Sequence, residues 1–313
     1  MKYKFRNPDC IIVRLGEIAL KSEQVKNKWM KILLENIDCA LKKIEYRIEI
    51  NPNRIFIYTD KIYDAINQLK RVFGITSVSP AWVCFAGLDE MKILAVEVAK
   101  FVGLNKNKKF AIRVRTAGRH KFSSRIIAEE VGAAVKKITN SPVDLENPDI
   151  EINIECRSRK AYIFTEKYEC AGGLPLGTAG KVCVVMNNKK TMIEAAWLLA
   201  RKGCELILIF EKDNKNFEDS LKILNKWYYG REIKYYFYDK LKFLEEINSI
   251  AEKENALAIV FPDNFQKITL KDIEKINIEN KNIKFPILRP IIFMRKNELK
   301  KLKNKIFLPL KNE

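Results

Sequence analysis

The 313-residue chain has one histidine and no pair of cysteines in C-x-x-C spacing. The single histidine, His120, excludes a histidine-rich metal centre and argues against a histidine-dependent catalytic dyad. The seven cysteines are scattered and odd in number, which argues against a zinc ribbon or a disulfide framework. No apolar run approaches the ~18 residues that a membrane span needs. We therefore expect no metal site and no membrane segment. The first ten residues lack a secretory leader, which favours a cytoplasmic location.

The C-terminal part of the chain has the periodicity of a βαβ unit. Val182–Met186 predicts a buried strand, about Met192–Lys202 predicts a helix, and Leu206–Phe210 predicts the next strand. In an α/β sheet the turn between such a strand and its helix is a phosphate-binding position. We therefore expect a Rossmann-like α/β domain from residue 181 to residue 313.

Glycine is missing from that turn. Phosphate-binding turns usually contain glycines, because backbone N–H groups must close around the anion. Here the turn reads Asn187-Asn188-Lys189-Lys190-Thr191, with no glycine between Gly180 and Gly203. Whether the chain is an enzyme depends largely on this substitution.

A net charge of +19 and a pI near 9.5 are the strongest global signals. They point to a polyanionic partner, with nucleic acid ahead of an anionic membrane. A lysine-rich solvated surface would give the same totals, so charge alone leaves that alternative open.

The basic charge has one local concentration. Residues 98–128 contain nine lysines and arginines and no acidic residue. Arg113 and Arg115 alternate on a predicted strand, so both should project from one face. The turn from Gly118 to Ser124 then enters a helix whose N-terminus and hydroxyls can meet phosphates. RNA is favoured over DNA because no helix-turn-helix or zinc pattern is present. The predicted RNA-contacting residues are Lys106, Lys108, Lys109, Arg113, Arg115, Arg119, His120, Lys121, Ser123 and Ser124.

The remaining pattern predicts an α+β N-terminal half. Residues 1–80 alternate as β-α-β-β-α, which suggests a ferredoxin-like module. Residues 81–168 predict a second α+β block, and residues 169–180, rich in glycine, predict a linker.

Several longer motifs resemble one family, the tRNA 4-thiouridine synthetases or tRNA sulfurtransferases. The motifs are Arg14–Lys21 (RLGEIALK), Phe73–Pro80, Phe110–Arg115, Val143–Glu151, Gly172–Thr178 and Phe285–Pro290. The resemblance implies a ferredoxin-like domain over 1–80 and a THUMP domain over 81–168 that grips the tRNA acceptor end. It implies an ATP-pyrophosphatase (PP-loop) domain over 181–313, which in the family adenylates a uridine before sulfur is inserted.

The chain departs from the family at three functional positions. The family loop Ser-Gly-Gly-x-Asp-Ser becomes Asn187–Met192, and a later glycine-containing segment becomes Val260–Gln266. Residues 205–313 contain no cysteine, whereas the family carries a catalytic cysteine segment near the C-terminus. We therefore predict no catalytic residue, no cofactor and a vestigial nucleotide site. That site comprises Met186, Asn187, Asn188, Lys189, Lys190, Thr191 and Phe210.

The substituted turn also has the S/T-x-x-E spacing of a capping box. Thr191 would accept a hydrogen bond from the Glu194 N–H, and the Glu194 carboxylate would accept one from the Thr191 N–H. These donors would otherwise face a phosphate. In the opposite interpretation, Lys189 and Lys190 still hold phosphates as point charges.

Three functions remain open from the sequence. The first is a non-catalytic tRNA-binding paralogue that acts in tRNA modification, alone, as a homodimer or with an active synthetase. The second is an active ATP- and magnesium-dependent tRNA sulfurtransferase with an altered loop and an external sulfur carrier. The third is an assembly or chaperone subunit for which RNA binding is incidental.

Overall fold

The computed structural model describes residues 7–51, 53–118, 120–187, 191–265 and 269–307, with Ala19 and Lys275 described by backbone alone. The chain forms two compact units. The first unit contains residues 1–14, 43–66 and 77–169, and the second contains residues 15–42, 67–76 and 170–313.

The first unit is organised around a mixed sheet of eight strands. Its strands are β1 (Cys10–Leu15), β2 (Arg47–Asn51), β3 (Arg54–Tyr58), β4 (Ile75–Phe85), β5 (Phe110–Ala117), β6 (Ile150–Arg157), β7 (Lys160–Phe164) and β8 (Tyr168–Glu169). They run in the order β2-β3-β1-β4-β7-β6-β5, and β8 pairs with β4. The helices in this half of the chain are α1 (Glu23–Leu41), α2 (Ile62–Leu69), α3 (Leu88–Phe101) and α4 (Ser124–Thr139).

Strand β4 joins the two predicted N-terminal modules. It is eleven residues long and runs through residue 80, where the sequence suggests a domain boundary. Ser77, Ser79 and Pro80 lie inside it and are buried. These residues disfavour a strand in sequence-based reasoning, because proline cannot donate to the ladder. The sequence pattern therefore does not predict β4, the strand that joins the two modules into one sheet.

One face of β5 belongs to the hydrophobic core under α3 and α4. Phe110 and Ile112 are buried against Met91 and Val131 of these helices. Since side chains alternate along a strand, Arg113 and Arg115 point away from the helices.

The second unit contains a parallel five-stranded sheet. Its strands are β9 (Lys181–Met186), β10 (Glu205–Glu211), β11 (Lys234–Tyr238), β12 (Ala258–Val260) and β13 (Ile287–Leu288). Its later helices are α5 (Met192–Arg201), α6 (Phe217–Asn225), α7 (Phe243–Lys253), α8 (Leu270–Asn282) and α9 (Lys296–Ile306). The strand order β11-β10-β9-β12-β13 reverses between β9 and β12. Ligands of such sheets bind at the carboxyl ends of the two strands at this switch point.

The predicted fold class is confirmed: an α+β half is followed by a Rossmann-like domain. Two apolar layers sandwich the parallel sheet. Trp197 and Trp227, with ring centroids 5.3 Å apart, lie in the layer with α5, α6 and α9. Ile247 and Phe261 lie in the layer with α7. Within the described ranges, no helix is both long and apolar enough to cross a bilayer.

From Cys170 onwards, the glycine-rich segment predicted as a linker is part of the second unit. Cys170, Ala171 and Leu176 are buried. The N–H of Leu174 donates to the carbonyl of Arg201 over 2.9 Å. Gly173 has φ +77°, and a Cβ added there would lie 2.0 Å from the Arg201 carbonyl oxygen. The segment therefore needs glycine for close backbone approach.

Gly173→Ala is expected to destabilise the second unit more than Gly177→Ala. Both glycines have positive φ, so both variants carry about 1–2 kcal/mol of backbone strain. The added methyl at Gly177 meets only side-chain atoms, those of the Arg231 guanidinium, 3.1 Å away. At Gly173 it meets backbone, and we expect roughly 2 kcal/mol of additional cost. Urea denaturation followed by tryptophan fluorescence measures both; equal losses would contradict the close-approach explanation.

Candidate nucleic-acid interface

Arginines from four strands of the first unit gather on the sheet face opposite α3 and α4. We call this set the arginine face; its members are Arg14 on β1, Arg54 on β3, Arg113 and Arg115 on β5, and Arg157 on β6. Arg14, Arg113 and Arg115 line one shallow cavity of about 70 Å³, together with Phe164 and Lys167. Guanidinium groups at this density suit an extended polyanion.

One buried carboxylate lies among these cations. Glu155 is 4% exposed, and its Oε1 lies 2.7 Å from Nη2 of Arg157 and 3.0 Å from Nε of Arg54. The Arg54 contact is a charge contact without good hydrogen-bond alignment. Glu155 therefore offsets the repulsion between neighbouring arginines while leaving the face strongly positive.

Arg14 is fixed by two neighbours. Its Nη1 donates to Ser79 Oγ over 2.9 Å, and its guanidinium lies 4.8 Å from the centre of the Phe164 ring. Burial lowers the pKa of Arg14 to about 10, while nearby Glu155 opposes that effect. Arg14 remains cationic at neutral pH, held rigidly beside an aromatic ring.

The two predicted β5 arginines differ in how available they are. Arg113 donates to Glu151 Oε1 over 2.9 Å and to the Leu145 carbonyl over 2.6 Å. Arg115 is exposed and has no acidic partner within the described part of the chain. Arg115 is thus the more available cation for a phosphate.

Acidic residues that are distant in sequence also pair with some of the basic residues of segment 98–128. Lys109 Nζ lies 2.8 Å from Asp144 Oδ2. The backbone N–H of Asn147 and the Lys109 ammonium hold the pKa of Asp144 at about 2. Lys106 and Lys108 are exposed in the loop before β5. A charge count along the sequence therefore overstates the free positive charge, because Asp144 and Glu151 pair across the fold.

The predicted turn residues lie around a different hollow. His120 and Lys121 line a cleft of about 350 Å³ with Phe85, Glu90 and Arg159. The Nε2 of His120 lies 3.0 Å from the Ala117 carbonyl oxygen.

The residues at the start of α4 are also assigned by the structure. Ser124 is the first residue of that helix. Ser123 caps it by accepting a hydrogen bond from the Ile126 N–H over 3.3 Å. Arg119 lies outside the described residues. The predicted set therefore divides between the arginine face, the loop before β5 and this cleft.

Sequence reasoning missed Arg14, Arg54, Arg157 and Lys167 as neighbours of Arg113 and Arg115. They come from four separate segments, each interspersed with acidic or apolar residues. The alternation Glu151, Asn153, Glu155, Arg157 along β6 was the available signal, because it places four polar side chains on one face.

In the second unit, the described ends of the switch-point turn bond to protein atoms. Met186 is buried, and its carbonyl accepts a hydrogen bond from Asn214 Nδ2 over 2.6 Å. The Thr191 hydroxyl donates to the Pro262 carbonyl over 2.7 Å, which joins the loops after β9 and β12. Asn187 is half-buried, and Phe210 is fully buried. Asn188, Lys189 and Lys190 lie outside the described residues.

The predicted capping box is wrong. Thr191 makes no side-chain cap bond to α5, because its hydroxyl is turned towards Pro262. Glu194 is 1% exposed and points inwards, with Lys303 Nζ 3.5 Å from its Oε1. Neither carboxylate oxygen has a well-aligned hydrogen bond. Burial raises the pKa of Glu194, and Lys303 opposes that effect only in part.

The loop after β12 is likewise held by side chains. Asp263 is fully buried and lies 3.1 Å from Arg289 Nε; Arg289 also contacts Glu279. Asn264 Nδ2 donates to the Met294 carbonyl over 3.0 Å. The described carboxyl edges of β9 and β12 are therefore bonded internally.

Known families match three stretches of the chain, and individual relatives match 95% of it. The family described as ThiI ferredoxin-like domain matches residues 10–79, and the THUMP domain family matches residues 85–166. The family described as Thiamine biosynthesis protein (ThiI) matches residues 231–307. A probable tRNA sulfurtransferase of Methanocaldococcus jannaschii is 33% identical, with 95% of this chain and 87% of that protein covered. The chain belongs to the tRNA sulfurtransferase (ThiI) family.

A further relative and two solved structures are similar to the chain over most of its length. A probable tRNA sulfurtransferase of Sulfurisphaera tokodaii is 31% identical over 95% of this chain and 86% of its own. The crystal structure of PH1313 from Pyrococcus horikoshii has a TM-score of 0.82 at 30% identity, covering 95% of this chain and 99% of its own. A 4-thiouridine synthetase solved as an RNA complex with bound ATP has a TM-score of 0.78 at 23% identity. The match covers 96% of this chain and 87% of that one, and it confirms the fold alone.

Glu194→Gln is expected to stabilise the protein increasingly as pH rises above 4.5. The folded-state pKa of Glu194 is raised above its ordinary value of 4.5, so the unfolded chain releases this proton first. The wild type consequently loses stability from pH 4.5 upwards until the folded carboxyl has ionised, whereas the amide variant does not. Urea denaturation of both proteins at pH 4.5 and pH 8 measures the difference. If the difference in the free energy of unfolding between the variant and the wild type became smaller as pH rose, the burial effect would be contradicted.

Proposed function

We propose that this chain is a tRNA-binding member of its family that grips RNA on the arginine face and does not itself adenylate or thiolate it. The observation that carries the proposal is the convergence of Arg14, Arg113 and Arg115 on one cavity beside Phe164. It would act in tRNA modification through the RNA it holds.

The geometry of the arginine face supports RNA as the ligand. Guanidinium forks can bond two phosphate oxygens at once, and the stiff sheet fixes their spacing. Most sequence-independent RNA recognition reads shape, phosphates and 2′-hydroxyls rather than base edges. The THUMP family match over residues 85–166 points the same way. By family resemblance, the segment gripped would be the tRNA acceptor end.

The contacts of the switch-point loops support the absence of ATP chemistry. The Thr191 hydroxyl, at the start of α5, donates to the Pro262 carbonyl and is not available to a phosphate. The Glu194 carboxylate in the first turn of α5 would disfavour an anion there. Asp263 and Asn264, at the second loop, are engaged with Arg289 and Met294. The described residues therefore fit a triphosphate poorly.

The thiols also support a non-catalytic role. The structure describes all seven cysteines; none forms a disulfide, and five are buried. Burial raises the pKa of Cys156 to about 11 and that of Cys183 to about 12. A thiol with so high a pKa is almost wholly protonated at neutral pH and is a poor sulfur nucleophile. Sulfur transfer would then belong to an active partner synthetase, with which this chain would pair as scaffold.

The double variant Arg113→Ala/Arg115→Ala is expected to bind tRNA more weakly. Its tRNA affinity should also depend less on salt concentration. Each lost phosphate contact should reduce the slope of log affinity against log salt by about 1. Arg125→Ala is the matched control, because Arg125 lies on α4, is 85% exposed and pairs with Glu129. Filter binding of a tRNA transcript at several salt concentrations, from about 50 to about 300 mM, measures the slopes. Identical slopes for the double variant and the wild type would remove the basis of the proposal.

Isothermal titration with Mg-ATP is expected to show no binding in the micromolar range. Wild type and Lys189→Ala should give the same flat titration, with tRNA present or absent. Micromolar binding that Lys189→Ala abolishes would favour the active sulfurtransferase instead.

A further inference from the structure

Helix α9 of the second unit has two distinct faces. Leu299, Leu302 and Ile306 pack on the apolar layer around α5. The indole Nε1 of Trp227 donates to the Ile306 carbonyl over 3.2 Å. The helix is thereby fixed on the domain, with its apolar side covered.

The five lysines of α9 are sorted between these faces. Lys303 turns inwards to the buried Glu194 carboxylate, 3.5 Å away. The Lys305 ammonium lies 5.9 Å from the Trp197 ring centre. Lys296, Lys300 and Lys301 are exposed.

The outward lysines meet little opposing charge. Glu298 is the single acidic residue in the sequence of α9. Its Oε2 accepts a hydrogen bond from the Arg295 N–H over 2.8 Å, so it caps the first turn. The exposed face of α9 is accordingly cationic.

An exposed aromatic ring precedes this basic face. Phe293 is 66% exposed in the turn that leads into α9. The turn is clamped to the loop after β12, because Asn264 donates to the Met294 carbonyl and the Phe265 N–H donates to the Ile292 carbonyl over 2.8 Å. Phe293, Arg295, Lys296, Lys300 and Lys301 form what we call the α9 patch. The turn with Phe293 and Arg295 follows β13 at the carboxyl edge of the parallel sheet, and α9 begins directly after it.

We propose that the α9 patch is a second RNA-contacting surface, separate from the arginine face, which takes phosphates on Lys300 and Lys301 and an unpaired base on Phe293. The inference rests on the proposed tRNA binding and adds where the α/β domain touches the RNA. A ring next to a cationic helix face provides both elements of single-strand recognition, stacking and backbone neutralisation.

The chemistry of the patch favours RNA over an anionic membrane. A helix that lies in a lipid interface must bury its apolar face in the bilayer. The apolar residues of α9 are already packed against α5, so only the charged face is available. A single exposed ring among four cations matches a nucleic acid better than a lipid surface.

The test uses the full chain and a tRNA transcript with its unpaired 3′ end. Lys300→Ala/Lys301→Ala should lower the affinity several-fold and reduce the salt slope by about 2. Lys271→Ala/Lys281→Ala is the matched control, because both lysines are exposed on α8. Phe293→Leu should lower the affinity for the transcript roughly tenfold and leave the affinity for a blunt RNA duplex of similar length unchanged.

The outcomes separate this inference from the tRNA-binding proposal. If the α9 double variant binds like the α8 control while Arg113→Ala/Arg115→Ala loses affinity, the α9 patch is a solvated surface and the inference fails alone. If none of the variants changes tRNA binding, both proposals fail. If the α9 variants lost binding to anionic phospholipid vesicles but bound tRNA as the wild type does, the inference would also be overturned. Unchanged thermal unfolding of the exposed-site variants ensures that a loss of affinity reports contact.

Discussion

The arginine face depends on one buried carboxylate. Positive charges packed together in a partly desolvated place repel strongly, and each loses hydration on burial. Glu155 contacts both Arg54 and Arg157 through Oε1, and the effect of its charge extends to Arg14. Glu155 offsets the repulsion between Arg54 and Arg157 from within the face, and Glu151 pairs with Arg113 at its edge. The same balance leaves Arg115 exposed at its margin.

A second buried carboxylate organises the other unit in a different way. Glu194 lies in the first turn of α5 and draws Lys303, and with it α9, onto the domain. Its raised pKa shows that this burial is costly in the charged form. The buried side of the start of α5 therefore carries a carboxylate, whereas the exposed lysines lie on α9. The same contact accounts for the inward position of Lys303 among the lysines of α9.

The sequence predicted the regular elements well because their apolar periodicity is strong. Strands β9 and β10 and helix α5 appear within a residue or so of their predicted bounds, since Val182–Met186 and Leu206–Phe210 are continuous apolar runs. Strand β4 was missed because serines and Pro80 interrupt its pattern. The family motifs then supplied the identity of the domains, which periodicity alone does not give.

The interface was predicted only in part, because it depends on pairing across the fold. Arg113 and Arg115 could be placed on one face from alternation alone. Their neighbours Arg14 and Arg157 become visible only through the order of strands in the sheet. The capping-box prediction failed for a similar reason. Local spacing suggested a Thr191–Glu194 bond, but Pro262 and Lys303, distant in sequence, provide the actual partners.

We propose that this member of the family holds tRNA without activating it. The most direct measurement is release of pyrophosphate from labelled ATP by the purified chain, with magnesium and a saturating tRNA transcript whose binding is verified in the same sample. We expect bound tRNA and no pyrophosphate above the level measured without protein. Release of pyrophosphate in proportion to the tRNA bound would contradict it.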